Sequence, residues 1–120
     1  MDLAIEELGD LGVVVIPLEE LDAGNTAAFK RDMAPLLEAH TKLALDLAKL
    51  RFVDSSGLGA FLSCLRKLKA KGGDLKLFGM SKAVRAVFEL VRMHRVFDIC
   101  ATKADAIQAF AAPAGSPPAP

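Results

Sequence analysis

A strongly amphipathic helix between two short apolar runs constrains the fold of this chain more than any other feature. Large apolar residues recur there at helical spacing and form one stripe, at Leu58, Phe61, Leu62, Leu65 and Leu68. Gly72 and Gly73 follow and are expected to end the helix with a left-handed cap. The flanking runs, residues 43–47 and 75–78, are typical of short strands. Strand, helix and strand in this order predict parallel strands joined by a right-handed crossover.

The N-terminal part predicts a hairpin followed by a helix. The β-branched run at residues 13–16 and the weaker run at residues 3–5 are separated by turn residues, Gly9 to Gly12. A helix is then predicted from about Thr26 to His40, with Asn25 as its N-cap. Pro35 lies inside this helix and should kink or divide it.

The C-terminal part continues the alternation. Ser81 is predicted to cap a helix whose core face carries Val84, Val87, Phe88 and Val91. Residues 96–99 predict a last strand and residues 104–110 a terminal helix. We therefore predict a single α/β domain over residues 1–112, with helices packed on a mostly parallel sheet opened by a hairpin. The tail, residues 113–120, is rich in Pro and Ala and is predicted to be disordered.

Composition narrows the class of protein. Hydrophobic residues make up 52% of the 120 residues, so we expect the domain to fold without a metal or a disulfide. Cys64 and Cys100 form no CxxC pair, which favours a reducing, cytoplasmic location and disfavours a metal site. The acidic N-terminus predicts no signal peptide, and no apolar stretch approaches the length of a membrane span. We expect no cofactor and no direct membrane insertion.

Charge is balanced overall but is unevenly distributed. Residues 1–60 hold 11 acidic and 5 basic side chains, whereas residues 61–120 hold 4 acidic and 10 basic ones. Two solvated faces of a neutral domain would account for this asymmetry, and electrostatic steering of a protein partner is the functional alternative. Nucleic-acid binding is disfavoured by the zero net charge and the absence of Trp and Tyr. We expect a monomer.

The segment from Asp54 to Gly59 is where sequence chemistry is most informative. It predicts a turn into the long helix, with Ser55 or Ser56 as N-cap. A capping turn alone would account for these residues, because Asp, Ser and Gly are common in turns.

Three features favour a functional interpretation of the same segment. A helix N-terminus accommodates a phosphate group well. Gly57 and Gly59 remove side chains near the hydroxyls, so that another protein's active site could approach. The exposed stripe of the helix is expected to be small and smooth, which suits docking; it would contain Ser56, Ala60, Ser63 and Cys64, with Lys67 beyond.

The sequence Phe52-Val53-Asp54-Ser55-Ser56-Gly57-Leu58-Gly59 resembles the signature of the STAS domain of bacterial anti-sigma-factor antagonists. The order and spacing of the later elements resemble that family too, so the likeness covers roughly residues 3–110. It implies partner switching, in which the unmodified domain binds an anti-sigma factor that is also a serine kinase and thereby frees the sigma factor. Phosphorylation by that kinase releases the antagonist, and a PP2C-type phosphatase restores it.

The resemblance also implies the site. The modified residue in the family is the serine directly after the Asp, which corresponds to Ser55, with Ser56 as the neighbouring alternative. We expect the partner to contact Asp54, Ser55, Ser56, Gly57, Gly59, Ala60, Ser63 and Lys67. The chain departs from the family pattern in the glycine-free segment from Leu18 to Asp22, at Pro35, and at Arg92, where a Gly commonly follows the third helix. A different C-cap is expected at Arg92.

Two other functional classes remain open from the sequence. An enzyme would pair Ser55 or Ser56 with His40 or His94, but the chain has no G-x-S-x-G elbow, and we predict no catalytic residue. A non-switching STAS subunit of a stress-signalling scaffold or a lipid-transport complex is the stronger alternative. Nucleotide binding is disfavoured because no GxxxxGK[ST] loop is present.

Overall fold

The computed structural model describes residues 1–111, so the predicted tail lies outside the described residues. The strands are β1 (Ala4–Leu8), β2 (Leu11–Val15), β3 (Glu20–Leu21), β4 (Lys42–Asp46), β5 (Phe52–Val53), β6 (Asp74–Phe78) and β7 (Asp98–Cys100). The helices are α1 (Thr26–Ala39), α2 (Ser55–Ala70), α3 (Lys82–Leu90) and α4 (Lys103–Ala111), with a 3-10 turn at Met93–Arg95.

Five strands form one sheet in the order β1-β2-β4-β6-β7. The pair β1–β2 is antiparallel and the other neighbours are parallel. This arrangement confirms the predicted hairpin and the mostly parallel sheet. The hairpin turn is shorter than predicted and consists of Gly9 and Asp10, with Gly9 at a φ of 65° that suits glycine.

Helices cover both faces of the sheet. One core, which includes Val14, Leu45 and Leu77, packs under the helices α1, α2 and α3. Four aromatic rings form a continuous row through this core. The distances between ring centroids are 5.6 Å for Phe29 and Phe61, 6.2 Å for Phe61 and Phe88, and 5.7 Å for Phe88 and Phe97. The opposite face is covered by α4, whose Ala106 packs with a smaller group of residues, Leu11, Val13, Ala44 and Phe78.

A second, two-stranded sheet lies beside the start of α2 and was not predicted. Here β3 and β5 pair in parallel, with Glu20 opposite Phe52 and Leu21 opposite Val53. The backbone N–H of Asp54 continues this ladder to the carbonyl of Leu21 at 3.3 Å. The small sheet thereby fixes the point at which α2 begins.

The first helix differs from its prediction in two ways. It runs without division from Thr26 to Ala39, although Pro35 lies inside it. Pro35 and Arg31 are exposed, so the Arg31 carbonyl that loses its intrahelical partner can bond to water. Asn25 occupies the N-cap position but makes no capping hydrogen bond; its side chain bonds instead to the N–H of Asp22 and the carbonyl of Glu20.

The region after α3 also differs from its prediction. Val91 was assigned to the core face, but α3 ends at Leu90 and Val91 is half exposed. A 3-10 turn intervenes, so β7 begins at Asp98 rather than at residue 96. Arg92 has the left-handed backbone (φ 60°, ψ 23°) that glycine commonly adopts after a helix, so the expectation of a different C-cap here is wrong.

Candidate functional site

The site is built on the first turn of α2, which Asp54 caps. Asp54 has an extended backbone, and its Oδ1 accepts a hydrogen bond from the Gly57 N–H at 3.0 Å. The prediction that Ser55 or Ser56 caps the helix is therefore wrong, and residues 55–59 are helical rather than a turn. Asp54 takes the cap because it has the extended conformation and the acceptor that a cap requires, one residue before the serines.

The other carboxylate oxygen of Asp54 connects α2 to the loop after β3. Its Oδ2 accepts from the Ala23 N–H at 3.2 Å. That loop is itself held by side chains, since Asp22 Oδ1 accepts from the Gly24 N–H and Asn25 Oδ1 accepts from the Asp22 N–H, both at 2.9 Å. Side-chain hydrogen bonds thus shape this turn, which directly follows the glycine-free segment from Leu18 to Asp22.

The two glycines of the motif have different surroundings. A Cβ on Gly57 would lie 2.4 Å from the Leu21 carbonyl oxygen and 2.5 Å from Val53 Cγ2, so only glycine lets α2 approach the β3–β5 sheet this closely. A Cβ on Gly59 would meet nothing within 4 Å, and Gly59 is exposed. Gly57 therefore serves internal packing, whereas Gly59 leaves the surface open as predicted.

The two serines differ in accessibility. Ser55 is exposed at the first helical position, and Ser56 is partly buried at the second. Their backbone N–H groups lie in the first turn, where no intrahelical acceptor is available. The Ser55 hydroxyl is thus presented beside free N–H groups and the positive end of the helix dipole.

Two residues assigned to the exposed stripe of α2 are in the core. Ala60 is fully buried and Cys64 is 2% exposed. Burial raises the pKa of the Cys64 thiol to about 11. The surface instead carries four residues spaced i, i+4, which we call the docking stripe: Ser55, Gly59, Ser63 and Lys67. Ser63 is partly buried and the other three are exposed.

Negative charge surrounds the start of α2. Glu20, Asp22 and Asp54 lie on the adjoining strand, loop and cap, and none of them forms an ion pair within residues 1–111. A further anion at Ser55 would add to the negative charge of these carboxylates.

The histidines are engaged elsewhere. His40 Nδ1 lies 2.9 Å from the Leu36 carbonyl oxygen and its Nε2 lies 2.9 Å from Glu7 Oε1. His94 is exposed in the 3-10 turn after α3. Over the described residues neither histidine bonds to a serine, and no group of three metal-ligating side chains comes together. No helix among these residues has both the length and the apolar character of a membrane span.

The STAS domain family model matches residues 3–106. The chain belongs to the STAS domain family. Among curated relatives, this STAS domain is 28% identical over 89 residues to the anti-sigma-B factor antagonist of Bacillus subtilis, covering 74% of this chain and 82% of the relative.

Solved structures share the fold of this STAS domain. An anti-sigma factor antagonist from Mycobacterium paratuberculosis superposes with a TM-score of 0.81 at 21% identity, covering 92% of this chain and 94% of the other. The Bacillus cell fate determinant SpoIIAA in its phosphorylated form gives 0.65 at 24% identity, covering 91% and 99%.

Sequence reasoning located the motif but missed what supports it. The contacts of Asp54 with Ala23 and of Gly57 with Leu21 come from a segment more than thirty residues earlier in the chain. The Asp-x-Gly-Asn sequence at residues 22–25 was an available turn signal, but nothing in it indicated which helix it would contact.

Proposed function

We propose that this STAS domain is an anti-sigma factor antagonist that acts by partner switching. Its unphosphorylated form binds an anti-sigma factor that is also a serine kinase, and so releases the sigma factor. Phosphorylation of Ser55 ends this binding, and a PP2C-type phosphatase restores it. Two relatives that match this domain along most of its length are an anti-sigma-B factor antagonist and an anti-sigma F factor antagonist, which supports the proposal.

The exposed Ser55 hydroxyl beside an already completed cap is the observation that carries the proposal. The Gly57 N–H already donates its hydrogen bond to Asp54. A phosphate on Ser55 therefore need not displace any hydrogen bond of the cap. The free N–H groups of the first turn can donate hydrogen bonds to the phosphate oxygens. The lower accessibility of Ser56 supports Ser55 as the modified residue.

The switch then acts on the partner rather than on the fold. A phosphate adds a charge of about −1.5 to −2 near neutral pH. It would join Glu20, Asp22 and Asp54, none of which forms an ion pair within residues 1–111. A partner shaped for a plain hydroxyl must then bury or repel this charge, which costs about 3 kcal/mol, or roughly a hundredfold in affinity.

The docking stripe would offer the partner a smooth surface, because most of its side chains are small. Gly59 and Ser63 follow Ser55 along one line of α2, and Lys67 ends that line with a positive charge. Gly57 and Ala60, which were also predicted to touch the partner, are buried and would act by positioning this line.

Intact-mass analysis tests the proposal. The purified protein is incubated with ATP and a lysate of its own host, alongside the variants Ser55→Ala, Ser56→Ala and, as a matched control on the same helix, Ser63→Ala. We expect one added phosphate in the wild type, in Ser56→Ala and in Ser63→Ala, and none in Ser55→Ala. A purified PP2C-type phosphatase should remove it.

The other outcomes separate the alternatives. Loss of phosphate only in Ser56→Ala would keep the switch and move its site by one residue. Absence of phosphate in every sample would refute the switch and favour a constitutive binding subunit.

A further inference from the structure

Three aliphatic side chains are exposed together at the end of α3. Leu90 is 83% exposed, and Val91 and Val96 are 50% exposed each. Single exposed apolar residues are normal on a protein surface, but three within seven residues favour a surface that another molecule covers.

The same turn carries positive charge without local compensation. Arg92 and Arg95 are exposed, and neither forms an ion pair within the described part of the chain. The nearest acids in sequence are already paired, since Glu89 lies 3.3 Å from Arg85 and Asp98 lies 2.7 Å from Lys76. We call Leu90, Val91, Arg92, Arg95 and Val96 the basic ridge.

The backbone of this ridge is strained and fixed. Arg92 is the only non-glycine residue with positive φ among residues 1–111. A side chain with a Cβ atom disfavours that region, so the surrounding structure must stabilise it. Hydrogen bonds hold the turn on both sides, from the Arg92 N–H to the Glu89 carbonyl at 3.1 Å and from the Arg95 N–H to the Arg92 carbonyl at 3.2 Å. The ridge is therefore a preorganised surface.

We propose that the basic ridge is a second docking surface, which binds an acidic amphipathic segment of a partner protein. Its exposed aliphatic side chains would pack on the apolar face of such a segment, and its arginines would pair with the flanking carboxylates. The ridge shares no residue with the docking stripe and does not include Ser55.

Charge and shape argue against a second copy of this chain and against a membrane as the molecule that covers the ridge. A two-fold dimer through this ridge would bring the arginines of the two copies against each other. A membrane surface suits a longer amphipathic helix than this turn provides.

A titration of the full-length, 15N-labelled protein with synthetic peptides tests the proposal, and the chemical shifts of the backbone amides are the readout. The probe is a helical peptide of about 14 residues with leucine on one face and glutamate elsewhere, and its control carries lysine in place of glutamate. We expect the acidic peptide to shift the amides of residues 89–97, and the basic peptide to leave them unchanged. The double variant Arg92→Glu/Arg95→Glu should bind the acidic peptide at least tenfold more weakly.

Control variants distinguish the ridge from general charge and from the switch. Lys30→Glu/Arg31→Glu makes the same charge change on exposed residues of α1 and should bind as the wild type does. Leu90→Ala/Val96→Ala should weaken binding of the acidic peptide, and Ser55→Glu should not change it, so the result is independent of the phosphorylation proposal.

The proposal is overturned if the acidic peptide shifts no amide signal or shifts only amide signals of another surface. Binding of phosphatidylglycerol vesicles without binding of the peptide would also overturn it, in favour of a lipid site.

Discussion

Gly57 and Gly59 are separated by one residue in α2, yet they have opposite surroundings. We expect Gly57→Ala to destabilise the domain by about 1–3 kcal/mol, because the added methyl group would overlap the backbone of β3 and force a shift. Gly59→Ala should leave the free energy of unfolding unchanged or raise it by up to about 1 kcal/mol, since alanine favours a helix. Urea denaturation of both variants measures the difference, and equal effects would contradict the assigned packing.

Small residues were the hardest to place from the sequence. Leu58, Phe61, Leu65 and Leu68 were assigned correctly to the core because large apolar residues at helical spacing mark a buried face. Ala60 and Cys64 give no such signal, since they occur on both faces of helices. Their burial depends on how closely α1 packs against α2, which is a tertiary distance that periodicity does not contain.

The N-cap of α2 is the element that holds the candidate site in place. We expect Asp54→Ala to lower the free energy of unfolding by about 1 kcal/mol or more, because it removes the acceptor for both Gly57 and Ala23. Asp54→Asn should restore only part of this loss, since one amide oxygen replaces two carboxylate oxygens. Urea denaturation of the three proteins gives the order, and an Asn variant less stable than the Ala variant would contradict it.

Lys76 pairs with two carboxylates of the sheet and also contacts α4 through an aromatic ring. Lys76 Nζ lies 2.7 Å from Asp98 and 3.2 Å from Asp74, and 4.7 Å above the ring of Phe110 in α4. Burial opposes ionisation of Asp74, but hydrogen bonds from the Leu75 N–H and from Lys76 outweigh it and hold the pKa of Asp74 below its ordinary value. Asp74 therefore stabilises the fold at pH values above the ordinary range of a carboxyl group.

This lowered pKa of Asp74 gives a pH prediction. The unfolded chain takes up a proton at Asp74 first as pH falls below about 4, so that the free energy of unfolding decreases through that range. We expect Lys76→Met to make this decrease shallower, because the pKa of Asp74 then moves toward its ordinary value. Unfolding followed by circular dichroism from neutral pH to about pH 2 measures the slope, and an unchanged slope would contradict the assignment.

Long elements were predictable and short ones were not. The strands β2, β4 and β6 and the helices α2 and α3 combine periodicity with clear ends such as Gly72 and Ser81. The strands β3 and β5 have two residues each, too few to show any alternation, and form only because distant segments meet. The strand β7 begins two residues later than predicted because a turn starts at Arg92, whose left-handed backbone is not indicated by its residue type.

At the scale of the whole molecule, the switch is expected to change surface charge and not structure. A phosphate at a helix N-terminus gains about 0.3–1 kcal/mol from the dipole, and repulsion from nearby carboxylates offsets part of this. We expect the melting temperature of the phosphorylated protein to lie within about 3 °C of the unmodified one. Amide shifts should be confined to residues 22–25 and the first turns of α2, and changes across the sheet would indicate a rearrangement instead.

The most direct test of partner switching is the affinity of the isolated anti-sigma factor for the two forms of this domain. Calorimetry with that purified partner compares unmodified protein with protein phosphorylated at Ser55, and Gln108→Glu on the exposed side of α4 controls for added charge away from the docking stripe. We predict that phosphorylation weakens binding by roughly a hundredfold, and that Gln108→Glu leaves the affinity unchanged. Equal affinity of the two forms would contradict the account.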